Sequence, residues 1–193
     1  MEELTNELAN PPSMGEEALA YVPLPSRARD LAFSGAFGAA AFLLPTLFHL
    51  VHLGHVFMPM YLPLVALAFL VRPSFAAATA ILVPLLSSLL TGMPPFFPPV
   101  AFLMAAELAA MSLVIAWGRA RFPSLPTLAL LLPALCLGRI LYVAMAWGSA
   151  RMLTLPARFV AGLSLIAGWP GLLLMALTVP TVVAGITRAA RRS

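Results

Sequence analysis

The chain of 193 residues is 62% hydrophobic and 9% charged, with a mean hydropathy of +0.99. No soluble domain of this size needs that much apolar surface, so composition points to a polytopic membrane protein. All 11 cationic side chains are arginines; a pI of about 10.2 would suit nucleic-acid binding, but the arginines gather at the ends of apolar stretches and leave no basic face, which excludes nucleic acid as a partner.

Residues 1–26 come first in chain order. Glu2, Glu3, Glu7, Glu16 and Glu17, with Asn6, Asn10, Pro11 and Pro12, make an acidic stretch rich in helix breakers. A secretory signal would open with positive charge and an apolar core, so this segment is expected to be a flexible cytoplasmic tail. Residues 27–193 are expected to form one all-α transmembrane domain of six helices. The predicted spans are Leu31–Leu50, Phe57–Val71, Ser74–Thr91, Pro98–Trp117, Thr127–Gly148 and Phe159–Ile186. The second, about 15 residues, is too short to cross a hydrocarbon core of about 30 Å without tilt or neighbouring protein. In the sixth, Trp169-Pro170-Gly171 marks a break, with Pro170 suited to a first helical turn, and Pro180 should kink the remainder.

Arginine placement predicts orientation. With both termini on one side, that face carries Arg27, Arg29, Arg72, Arg119, Arg121, Arg188, Arg191 and Arg192, while the other has only Arg151 and Arg158. The positive-inside rule then makes both termini cytoplasmic.

Span one contains Ser34-Gly35-Ala36-Phe37-Gly38-Ala39-Ala40-Ala41, with Ala36 and Ala40 four apart. Small residues at that spacing let another helix backbone approach closely, either within this bundle or from a partner. The stretch from Phe48 to Pro63 holds every histidine: His49, His52 and His55. Steps of three keep side chains on one side of a helix, although Gly54 should end the helix before His55. Three readings fit the histidines: lining a loop over a cavity, sitting at the membrane–water interface, or converging on a metal with a hydrogen-bonded second shell; no metal is assigned. Met60 and Tyr61 follow, between Pro59 and Pro63. These prolines free backbone carbonyls, which membranes tolerate only where protein or a wet cavity receives them. Span three ends with Ser87, Ser88 and Thr91, whose hydroxyls could equally bond their own helix backbone. Cys136, the single cysteine, reads as a packing residue and supports no disulfide framework.

Glu107 and Arg139 are the two ionisable groups deep inside the apolar stretches. Each lies nine residues from the outer end of its span, Pro98 and Gly148 respectively, hence about 13 Å below the outer surface at 1.5 Å per residue. An unpaired charge at the bilayer centre costs about 2.5–3.5 kcal/mol, and opposite charges at one depth on consecutive antiparallel helices can face each other. Two accounts fit: an ion pair that locks the helices, or the polar floor of a pocket open to the outside; one pair can do both. Apolar walls with a few placed polar groups make a small-molecule pocket. The expected substrate-binding set is therefore His49, His52, His55, Met60, Tyr61, Ser87, Ser88, Thr91, Glu107, Arg139 and Tyr142.

These residues resemble the substrate-binding S-components of energy-coupling factor (ECF) vitamin transporters, specifically an uncharacterised bacterial subgroup. The resemblance rests on six spans in about 190 residues, on Ala36–Ala40, on His49 through Met58-Pro59-Met60-Tyr61-Leu62-Pro63 and Pro84 to Pro95, and on Glu107-Leu108 and Gly138-Arg139-Ile140. It covers Leu31 to Gly148, and the last span by hydropathy alone; Tyr61 stands where that subgroup would have a histidine. It implies a subunit of the bacterial plasma membrane that captures a small vitamin-like molecule on its outer side. Delivery would follow association with a transmembrane coupling subunit and two cytosolic ATPases, with Ala36 and Ala40 on the docking face and the histidine and Met93–Pro99 loops as lids.

Absences agree with a non-catalytic role. There is no Gly-rich Lys-Ser/Thr phosphate loop, so ATP hydrolysis falls to the partners, and neither His-Glu-x-x-His nor Gly-x-Ser-x-Gly occurs. No cofactor is expected. Two alternatives remain: an intramembrane metal-dependent enzyme using His49, His52 and His55 or Glu107 as base, and a proton or ion conductor through Glu107 and Arg139. The second has few polar residues in the inner half to complete a route.

Overall fold

The computed structural model describes residues 26–50, 59–154 and 169–189. Every regular element among them is helical: α1 (Ser26–Leu50), α2 (Tyr61–Ala68), α3 (Pro73–Thr91), α4 (Val100–Arg121), α5 (Thr127–Met152) and α6 (Trp169–Ala189). Four stretches, α3, α4, α5 and Pro170–Ala189 of α6, are long and apolar enough to cross a membrane. Their outer faces carry Leu82, Leu89, Leu90, Trp117, Ile140 and Leu177, all exposed. In water so much exposed leucine would drive association; in hydrocarbon it is the matched surface. The protein is membrane-embedded.

The short second element has a position that its sequence only hinted at. Inside the expected Phe57–Val71, the helix occupies Tyr61–Ala68, 8 residues, or about 12 Å of rise. All of it except Leu62 is buried, and Phe69, Leu70 and Val71 continue the burial. A helix apolar on every side has no solvent or lipid face to present, so it belongs inside. α2 packs against α1, α3, α4 and α6, as a peg that the longer helices surround. Pro63 falls in its first turn, where a missing N–H costs nothing.

Helix α1 shows two different small-residue faces. Gly38 and Ala41 point inward; a Cβ at Gly38 would stand 3.4 Å from both Thr79 Cγ2 and Val83 Cγ2 of α3. Gly35, Ala36 and Ala39 are exposed and Ala40 is half-buried. The spacing that suggested close packing therefore serves α3 at Gly38, while Ala36 is left on the outside of the bundle.

Helices α4 and α5 come close at two glycines. A Cβ at Gly118 would meet Leu130 Cδ2 at 2.9 Å, and one at Gly138 would collide with Met111 Sδ. Both helices outrun the predicted spans, α4 past Trp117 to Arg121 and α5 past Gly148 to Met152. The extra turns carry Arg119 and Arg121 in one case and Arg151 in the other. Cations there complement the helix dipole, and their long stems let a helix continue beyond the apolar layer. In α6 the helix starts at Trp169, with Pro170 in its first turn and Pro180 inside it; residues 159–168 of the predicted span lie outside the described residues.

Candidate functional site

Three helices bring four of the predicted residues together. Glu107, on the face of α4 that Gly138 leaves open, is 0% exposed. Tyr61, the first residue of α2, donates its hydroxyl hydrogen to Glu107 Oε2 at 2.5 Å. Arg139, on α5 next to Gly138, pairs with the other oxygen, Nε to Oε1, at 3.5 Å. That distance is an ion pair rather than a good hydrogen bond, and Oε1 has no hydrogen-bond partner among the described residues. The guanidinium carbon lies 5.5 Å from the Tyr61 ring centroid and 5.8 Å from that of Tyr142. Two rings about the cation add cation–π attraction where water is excluded.

The backbone explains why these groups can meet. Gly138 has no Cβ to push against Met111 and Glu107, whose Cγ would be 3.4 Å away from one. α5 therefore sits close enough for its next residue, Arg139, to reach the carboxylate. Tyr61 reaches Glu107 because α2 is a buried peg and its first residue sits beside the middle of α4.

Arg139 also lines a groove. This groove of about 490 Å³ between α5 and α6, open to the outer face at Leu132, Ile140 and Leu173, is lined by these and by Leu135, Cys136, Arg139, Leu172 and Ala176. Among the described residues, Arg139 is the one charged residue in this lining. Glu107 does not line it. The carboxylate is enclosed among Tyr61, Met111 and Arg139, and Arg139 itself is buried.

The other predicted site residues go elsewhere. Ser87 Oγ donates to the Met93 carbonyl at 2.8 Å, and Thr91 Oγ1 to the Ser87 carbonyl at 2.7 Å. Gly92, at φ 73°, turns the chain out of α3 and returns its N–H to the Ser88 carbonyl. Ser87 and Thr91 therefore build the helix end, the local alternative open to hydroxyls at such a place, and their bonds do not extend to Glu107. Ser88 is buried, and its hydroxyl has no partner among the described residues. Met60 is a core residue beside α2. His52 and His55 lie outside the described residues, and of His49 only its place in the last turn of α1 is described. Among the described residues no three His, Cys, Asp or Glu side chains gather as a metal site would require.

Sequence reasoning passed over a second ion pair. Arg72 Nε donates to Asp30 Oδ2 at 2.5 Å, tying α1 to the start of α3. Arg29 donates to the Leu70 carbonyl at 3.3 Å nearby. Reading these arginines as topology signals hid that role; the available signal was Asp30, the single aspartate in the chain.

Comparison with protein-family models, curated proteins and solved structures finds no match for this chain. The functional reading therefore rests on the residues and their geometry.

Proposed function

We propose that this chain is a substrate-binding subunit of a membrane importer of the energy-coupling factor type, holding a small molecule with an anionic group beside Arg139. One observation carries the reading: Arg139 is buried, pairs with Glu107, and is among the residues lining a groove of about 490 Å³ between α5 and α6. Apolar walls with one oriented cation suit a ligand with a carboxylate or similar group on a mostly apolar frame. A vitamin-like acid or zwitterion meets that description.

In this proposal the chain crosses the bacterial plasma membrane six times, with α1 and the region around α2 counted among the spans and both termini in the cytoplasm. It performs no chemistry of its own. The coupling subunit docks on the exposed Gly35, Ala36 and Ala39 face of α1, continuing onto Ala40, and two cytosolic ATPases supply the energy. His49, His52 and His55 are assigned to the approach to the ligand. An enzymatic role for Glu107 is disfavoured by its full enclosure, since a general base must reach the proton it abstracts.

Native mass spectrometry of the purified protein tests the reading, by identifying a small molecule that co-purifies and measuring its retention. Arg139→Ala should lower the affinity for that molecule at least about tenfold, which corresponds to roughly 1.4 kcal/mol. Unchanged retention in a monodisperse Arg139→Ala preparation contradicts it.

A further inference from the structure

A second cavity lies at the end of the bundle where α1 starts, α2 ends and α4 finishes. It encloses about 300 Å³, and its lining includes Ser26, Arg29, Asp30, Arg72 and Arg119 over a floor of Leu70 and other apolar residues. Three separate elements bring the arginines there: Arg29 from α1, Arg72 from the connection ahead of α3, and Arg119 from α4. Each is anchored. Arg29 bonds the Leu70 carbonyl, Arg119 the Pro123 and Leu125 carbonyls at 3.0 and 3.2 Å, and Arg72 the Asp30 carboxylate.

Among the described residues, charge does not balance in this crevice. Asp30, 4% exposed, answers Arg72, so three cations against one anion leave a formal excess of two positive charges. The carbonyl bonds of Arg29 and Arg119 fix direction without neutralising anything. A guanidinium carries five N–H donors in a planar fork, so Arg29 and Arg119 keep donors beyond these carbonyl contacts. The start of α3, with Pro73 at its first position, adds the positive end of a helix dipole beside Arg72. Arginine forks around a cavity at a helix-bundle end match phosphate oxygens in charge and geometry.

We infer that this crevice binds a phosphate-bearing anion, either the headgroup of an anionic phospholipid or a free phosphate compound. The charged rim meets the phosphate, and the apolar floor accepts the carbon skeleton attached to it. The inference is independent of the ligand proposed beside Arg139, because the two cavities share no lining residue.

Native mass spectrometry of the full chain in detergent, with equimolar phosphatidylglycerol and phosphatidylcholine added, tests it. The expected result is preferential retention of phosphatidylglycerol by at least about tenfold, taking roughly fivefold for each of Arg29 and Arg119. Alternatively, if the natural occupant is soluble, inorganic phosphate displaces bound phosphatidylglycerol; either result supports the shared chemistry, and displacement identifies the source. The Arg29→Gln/Arg119→Gln double variant should erase the preference, whereas Asp30→Asn, which releases Arg72, should strengthen it about fivefold. Equal retention of the two lipids by the unaltered chain, with no effect of inorganic phosphate, overturns the inference without recourse to any variant. So does a preference that survives intact in a monodisperse double variant.

Discussion

Tyr61 and Glu107 stand 46 residues apart in sequence and share a buried hydrogen bond of 2.5 Å. That bond joins the central peg α2 to α4, and through Glu107 to Arg139 it joins both to α5. The carboxylate is therefore held by a neutral donor on one oxygen and a cation near the other. Such an arrangement satisfies a charge that hydrocarbon would not tolerate alone.

Tyr61→Phe removes the hydroxyl and leaves Glu107 Oε2 buried without its donor. The expected cost is about 1–3 kcal/mol, read as a lower midpoint for thermal unfolding in detergent while the protein stays monodisperse. An unchanged midpoint would show that the bond contributes nothing to the fold.

Glu107→Ala removes the carboxylate that pairs with the buried Arg139 and should destabilise by about 3–5 kcal/mol. Replacing both partners by leucine should recover most of that loss, because an apolar pair avoids desolvating two ions. A double-mutant cycle on unfolding midpoints measures the coupling. If the two single changes simply add, the residues do not act as a pair.

Gly138→Ala places a methyl where Met111 Sδ already sits. Overpacking of this kind costs about 1–3 kcal/mol, and Met111→Ala in the same chain should relieve it. Failure of the second change to rescue would mean that α4 and α5 are not held apart at this contact.

The two faces of α1 predict opposite behaviour. Ala36 is exposed, so Ala36→Leu should leave stability within about 0.5 kcal/mol but block co-purification with a coupling subunit. Gly38→Leu faces Thr79 and Val83 at 3.4 Å and should instead destabilise the isolated chain by about 1–3 kcal/mol. Normal assembly by the Ala36→Leu variant removes the docking face from the proposal.

What could be read from the chain alone depended on whether the signal was rarity or position. Glu107 and Arg139 stand out because charge is scarce in apolar stretches; equal depth on neighbouring helices allows them to face each other, and their pairing is seen only in the folded chain. Tyr61 was marked as a site residue, but nothing local said that it would bond Glu107; that follows from α2 being enclosed by four helices, a tertiary fact. Ser87 and Thr91 were placed in the pocket because they share its depth. Gly92 immediately after them signals a helix end, and that local chemistry takes their hydroxyls instead. Gly138 carries no local signal of a close approach, since the need for one depends on Met111, which lies on another helix. The histidines fall largely beyond the described residues, so their part in the site rests on sequence.

The most direct measurement is ligand retention by the Glu107→Leu/Arg139→Leu double variant, followed by native mass spectrometry beside the unaltered chain. Two leucines keep the contact between α4 and α5 packed, so stability and ligand binding are separated in one protein. The account predicts a monodisperse variant with a near-normal unfolding midpoint that has lost the co-purifying small molecule. A variant that folds equally well and still carries the molecule at full occupancy would contradict it, leaving Arg139 as a strut between helices and the adjoining cavity without its anchoring charge.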